Sequence, residues 1–112
     1  MNDSSLIKFG LTQKQYQLIE EAIIAFDEIE KVVIFGSRAT GQYAPSSDID
    51  LAVFGKNITT NTTSRFFSRL DDLPLPFKFD VLNYERISST TLKNKIDLQG
   101  KVFFQKQLNT AS

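Results

Sequence analysis

No cysteine and no histidine occur in the 112 residues. The first absence excludes disulfides, thiolate metal sites and a cysteine nucleophile. The second excludes imidazole zinc sites and histidine-based triads, so general-base and metal-ligand chemistry falls to carboxylates. An excess of charge is missing too: 13 Lys and Arg balance 13 Asp and Glu. No global field draws the chain onto nucleic acid or a membrane surface, and any polyanion must be met locally. The start, MNDSSLIKFG, lacks the apolar core of a signal peptide, and no apolar run approaches membrane-spanning length. The expectation is a cytoplasmic protein with no membrane contact and no direct nucleic-acid partner. At this length it forms one domain, 1–112, that buries roughly two thirds of its unfolded surface.

The apolar residues that are present fall into segments. Tyr16, Ile19, Ile23, Phe26 and Ile29 recur at spacings of three and four, which predicts an amphipathic helix over 11–30. Thr12 and Gln15 stand as a capping box at its start, and Leu11 and Tyr16 as a hydrophobic staple. Val32 to Phe35 reads as a buried strand ended by Gly36, and Ile49 to Phe54 as a strand covered on both faces. Residues 36–47 read as loop or one short helical turn, and the Thr/Asn-rich stretch 57–63 as a solvated loop. A helix from Ser64 to Asp72, a strand from Phe77 to Tyr84, a helix from Ser88 or Ser89 to Gln99 with Gly100 at its C-cap, and an edge strand Val102 to Gln105 follow. Phe103 and Phe104 read equally as core or interface. Helices alternating with strands around one sheet make the fold α/β, or α+β if the sheet is mixed.

The chemistry concentrates in VVIFGSRATGQYAPSSDIDLAVF, residues 32–54. Strand side chains alternate between faces, so Asp48 and Asp50 share one face while Ile49 and Leu51 take the other. Two carboxylates there repel each other unless a cation offsets them, and hard oxygen ligands select magnesium or manganese. Asp80, inside the apolar run FKFDVLNY, needs a partner of its own. If its strand lies beside that of Asp48 it joins the pair; otherwise an ion pair with Lys78 or Arg86 accounts for it. Three carboxylates suffice for two metal ions about 4 Å apart, which would clamp the attacking and leaving oxygens of a nucleotidyl transfer. Gly36 lets a phosphate approach the backbone closely, and the Ser37 hydroxyl can donate to it. With each residue type used at roughly 6%, the spacing G-S-x10-D-x-D arises by chance in about one chain in a thousand.

FGSRATGQYAPSSDIDLAVF resembles the signature of the DNA polymerase β-like nucleotidyltransferases, in particular their minimal (MNT) members, and LKNKIDLQGKVFFQ is similar to the family's closing helix, glycine and strand. The resemblance implies a single-domain nucleotidyltransferase fold with a mixed sheet flanked by helices. It implies Gly36, Ser37 and Arg38 as nucleotide-binding residues, and Asp48, Asp50 and Asp80 as catalytic residues that hold Mg2+, with two ions and ATP as substrate. Many members carry arginine where this chain has Thr40, which leaves Arg38, Lys56, Lys78 or a partner to supply positive charge for the triphosphate. Small MNT proteins of this kind resemble the antitoxins of HEPN/MNT pairs, in which AMP passes to a tyrosine of a HEPN ribonuclease toxin within a hetero-oligomer. Two other readings stand beside that one: an antitoxin that acts by occlusion alone, and the catalytic subunit of a two-subunit small-molecule nucleotidyltransferase.

Overall fold

A computed structural model describes residues 6–107. The described residues open with a small antiparallel hairpin that the sequence did not announce, β1 (Leu6–Lys8) and β2 (Leu11–Thr12). Phe9 and Gly10 turn it at positive φ, 57° and 75°. Helix α1 (Gln13–Ile24) follows at once. Its expected capping box is formed: the Gln15 N–H donates to Thr12 Oγ1 at 3.1 Å, and the Thr12 N–H donates to Gln15 Oε1 at 2.9 Å. The helix stops at Ile24 rather than at residue 30. Phe26 and Ile29 reach the core from turns, where the Phe26 N–H bonds Ile23 O and the Ile29 N–H bonds Phe26 O. Their spacing mimics another helical turn, and periodicity alone runs past the true end.

Four strands form the main sheet: β3 (Lys31–Phe35), β4 (Ile49–Phe54), β5 (Phe79–Asn83) and β6 (Lys101–Gln105), in the order β5-β4-β3-β6. β3 runs antiparallel to β4 and β6, while β4 and β5 are parallel and joined through α3 (Thr60–Asp71). The sheet is therefore mixed, and the fold is α+β with helices on both faces. Val32, Ile34, Ile49, Leu51, Val53 and Phe79 pack in one cluster with Ile19, Ile23, Phe66 and Leu70 of α1 and α3. Val33, Phe35 and Ala52 form a smaller cluster on the other face with Ile96 of α4 (Thr90–Gln99). β4 is thus covered on both sides along Leu51 to Val53, where its residues are continuously apolar and buried.

Helix α3 begins at Thr60, inside the stretch expected to be loop. Thr59 caps it by accepting from the Thr62 N–H at 3.1 Å, and Thr62 returns the bond to the Thr59 N–H at 3.2 Å. Thr62 is buried and its hydroxyl donates to Glu28 Oε2 at 3.2 Å, so this part of 57–63 is not a solvated loop. β5 is shorter than 77–84 because a 3-10 turn, Tyr84–Arg86, takes over after Asn83 caps the Glu85 N–H. Phe103 belongs to the core, stacked on Tyr16 at 4.2 Å between centroids. Among the described residues no helix is long and apolar enough to cross a membrane.

Candidate active site

Register brings the acids together. Phe35 pairs with Asp50 across β3 and β4, and Asp50 pairs with Asp80 across β4 and β5. Paired residues share a face, so Asp50 and Asp80 lie on the side that α4 covers further along the sheet, and Asp48 falls two residues earlier on the same side. Asp50 is half-buried, whereas Asp48 and Asp80 are exposed. Neither Lys78 nor Arg86 forms an ion pair with Asp80 among the described residues.

Gly36 ends β3 against this group. Its φ of 78° and ψ of −157° lie in a region that only glycine adopts readily, and a Cβ there would stand 2.5 Å from Asp50 Oδ2. Helix α2 (Ser37–Thr40) turns immediately afterwards, with the Ala39 and Thr40 N–H groups both directed to Gly36 O at 3.1 and 3.2 Å. The Thr40 hydroxyl donates to Ser37 O at 3.2 Å, closing the turn on itself. Gly36 therefore lies against Asp50, and Ser37 follows it as the first residue of α2.

Burial raises the Asp50 carboxyl above the ordinary aspartate range, and the charges of Asp80 and then Asp48 raise it further, while Lys95 of α4 acts in the opposite sense. The charges of Asp80 and Asp48 thus disfavour the ionised form of Asp50, an effect that a cation would relieve. Their donor type fits a hard divalent ion. As the side chains stand, no group of three acidic residues among those described is gathered closely enough to hold one. Convergence on an ion requires rotation of these side chains, two of which are exposed.

Arg38, expected to bind nucleotide, lies inside the fold. It is 2% exposed. Nε donates to Ser47 O at 3.0 Å, Nη1 to Phe9 O at 2.9 Å and Nη2 to Pro45 O at 3.0 Å. Its guanidinium also lies 5.2 Å from the Tyr43 ring centroid and 4.7 Å from that of Phe77. Each of its three nitrogens is thus committed to a backbone carbonyl. Lys56 follows β4 at the end opposite to Asp50, where its N–H bonds Glu30 Oε2 at 3.2 Å. Lys78 stands at the acidic end, its carbonyl accepting from the Ile49 N–H at 2.9 Å. Lys95 was missed in the sequence: nothing local marks it, and only the packing of its neighbour Ile96 on Val33, Phe35 and Ala52 brings it to the acids. An open cleft of about 320 Å³ runs beside Asp80, lined by Thr63, Ser64, Phe67, Ser68 and Val81.

The model of the polymerase beta nucleotidyltransferase family matches residues 17–109. A search of curated protein sequences finds no match. Among solved structures, a chain of a toxin–antitoxin complex with AMP-PNP superposes with a TM-score of 0.68 at 22% identity, over 82% of this chain and 74% of that one. A chain of the complex between a tri-AMPylated Shewanella oneidensis HEPN toxin and its MNT antitoxin gives 0.57 at 23% identity, over 82% and 74%. A putative nucleotidyltransferase from Sulfolobus solfataricus gives 0.51 at 26% identity, over 80% and 76%. At the identities of the two toxin–antitoxin chains the likeness concerns the fold. The family match is broader, running from within α1 to beyond β6, and by it this chain belongs to the polymerase β nucleotidyltransferases.

Proposed function

We infer that the protein is an antitoxin that transfers AMP from ATP to a tyrosine hydroxyl of a partner HEPN toxin. The observation that carries the reading is the register of Asp50 with Asp80 next to the Gly36 turn. Supporting it are the family, whose activity is nucleotidyl transfer, and the structural neighbours, one of which holds a tri-AMPylated HEPN toxin and another AMP-PNP.

Asp48, Asp50 and Asp80 would hold magnesium. Bound there, the metal supplies positive charge to the triphosphate and lowers the pKa of the acceptor hydroxyl. Gly36 leaves the turn bare so that a phosphate can approach, and the Ser37 hydroxyl donates to a phosphate oxygen. Lys95 and Lys78, at the acidic end of the sheet, contribute charge for the triphosphate in place of Arg38. Asp80 takes the proton of the acceptor hydroxyl as that oxygen attacks the α-phosphorus and pyrophosphate leaves. The open cleft beside Asp80 gives the acceptor a way in. Positioning and electrostatics provide most of the acceleration, since no covalent enzyme intermediate is needed.

The test uses α-labelled ATP, the purified HEPN partner and Asp48→Asn and Asp80→Asn variants. The wild-type chain should label the partner in a magnesium-dependent way. Each variant should bind the partner but label it at least a thousandfold more slowly, in line with the roughly 4 kcal/mol that loss of one transition-state contact costs. Rescue of toxin-expressing cells by both variants at matched expression would instead favour neutralisation by occlusion. Fast modification of small molecules by the isolated chain would favour the two-subunit transferase.

A further inference from the structure

We propose that Arg38 is a positioning residue for Asp48, fixing the loop that delivers this carboxylate to the site. The proposal rests on the metal-binding reading given above. Two of the three carbonyls on its guanidinium, Pro45 O and Ser47 O, belong to the segment directly before Asp48. Ser47 is the residue before that acid. It also closes a tight turn, its N–H donating to Ala44 O at 3.0 Å and its hydroxyl accepting from the Ala44 N–H at 2.8 Å. The third carbonyl, Phe9 O, comes from the N-terminal hairpin, whose left-handed turn is pressed on the same loop: a Cβ on Gly10 would collide with the Tyr43 ring and lie 2.8 Å from Arg38 Nη1.

Arg38 also follows Ser37 in α2 and faces the ring of Phe77, which enters the strand of Asp80. One buried side chain therefore links the Gly36–Ser37 turn, the loop before Asp48 and the segment that leads to Asp80. The planar fork of arginine can serve three acceptors in fixed directions, which the single nitrogen of lysine cannot. An exposed carboxylate such as Asp48 has no packing of its own to orient it, so its direction depends on the backbone that precedes it.

The experiment compares wild-type protein with Arg38→Lys, Arg38→Met and Gly10→Ala. Arg38→Met removes the donors without leaving a buried charge, and Gly10→Ala disturbs the same junction from the hairpin side. Mn2+ affinity without nucleotide is read by electron paramagnetic resonance, folding by cooperative melting, and transfer to the partner as kcat and KM for ATP at low and high magnesium. The expected result is folded variants with Mn2+ affinity weakened about tenfold or more, as for lost outer-shell support of a metal ligand. Raising magnesium should then restore kcat while KM for ATP changes little. Folded variants that bind Mn2+ as the wild type does, whatever their melting temperature, would overturn the proposal. So would failure of all three to fold, which would make Arg38 a residue of the fold alone. A wild-type chain that binds no Mn2+ would remove the metal reading, and this inference with it.

Discussion

Asp50 has the most constrained surroundings of the three acids. It is half-buried, faces Asp80 across the strand pair and is overlooked by a turn with no room for a Cβ. Its raised pKa means that the native state holds this proton to higher pH than the unfolded chain does. Without metal, the Asp50 contribution should therefore reduce stability as pH rises from the ordinary aspartate range through the raised value. Asp27, lowered by its hydrogen bond to Lys106, has the opposite slope, so the informative quantity is the difference between wild type and Asp50→Asn. Urea melts in EDTA across that range should show the variant gaining stability relative to wild type as pH rises; parallel curves would mean that the repulsion is not felt. At Gly36 an alanine must adopt a glycine-only conformation, costing about 1–3 kcal/mol, and must displace the Asp50 carboxylate. We expect Gly36→Ala to melt lower and to bind magnesium-ATP more weakly by calorimetry. That Gly36 and the Asp48–Asp50 pair would lie together was legible in the sequence because their spacing is local, whereas Asp80 joins them only through the pairing of β5 with β4. Arg38 and Lys95 were not legible, since an arginine destined for a cage of carbonyls and one destined for a phosphate look alike until the carbonyls are in place.

Among the elements, α3 separates what periodicity reveals from what it hides. Its apolar residues Phe66 and Leu70 announce a helix, and both are fully buried. Its first turn is threonine and asparagine, poor helix formers, and is held instead by reciprocal bonds between Thr59 and Thr62 and by the burial of Thr62 against Glu28. Loss of the cap in Thr59→Ala should cost about 1 kcal/mol of unfolding free energy in urea. An unchanged midpoint would mean that burial alone sets the start of α3. The hairpin β1–β2 was invisible for a different reason: strands of two or three residues are too short to show a period. β4 was read correctly from Ile49 to Phe54 because a continuous β-rich run bounded by a charge and a glycine has few alternatives. The end of α1 was overrun because Phe26 and Ile29 keep helical spacing while sitting in turns.

At the scale of the whole molecule, nucleotide and metal should act as one ligand. Calorimetry with ATP is expected to give clear binding with magnesium and much weaker binding in excess EDTA, and magnesium-ATP should raise the melting temperature through linkage, which adds about 2.7 kcal/mol of stability at a hundred times its dissociation constant. Equal affinity under both conditions would remove the carboxylates from nucleotide binding. The alternation of elements named one sheet flanked by helices and the family resemblance implied that it is mixed, but the strand order was not legible, because pairing between distant strands leaves no local mark. That order has a consequence for biosynthesis. Asp80 stands on β5, reached only after the α3 crossover, and β6, which pairs with β3, is made later still. A ribosome adding roughly 5–20 residues per second thus makes the Asp48–Asp50 pair seconds before the third acid and the last strand exist. Prematurely terminated chains that lack β5 carry the Asp48–Asp50 motif without Asp80 beside it.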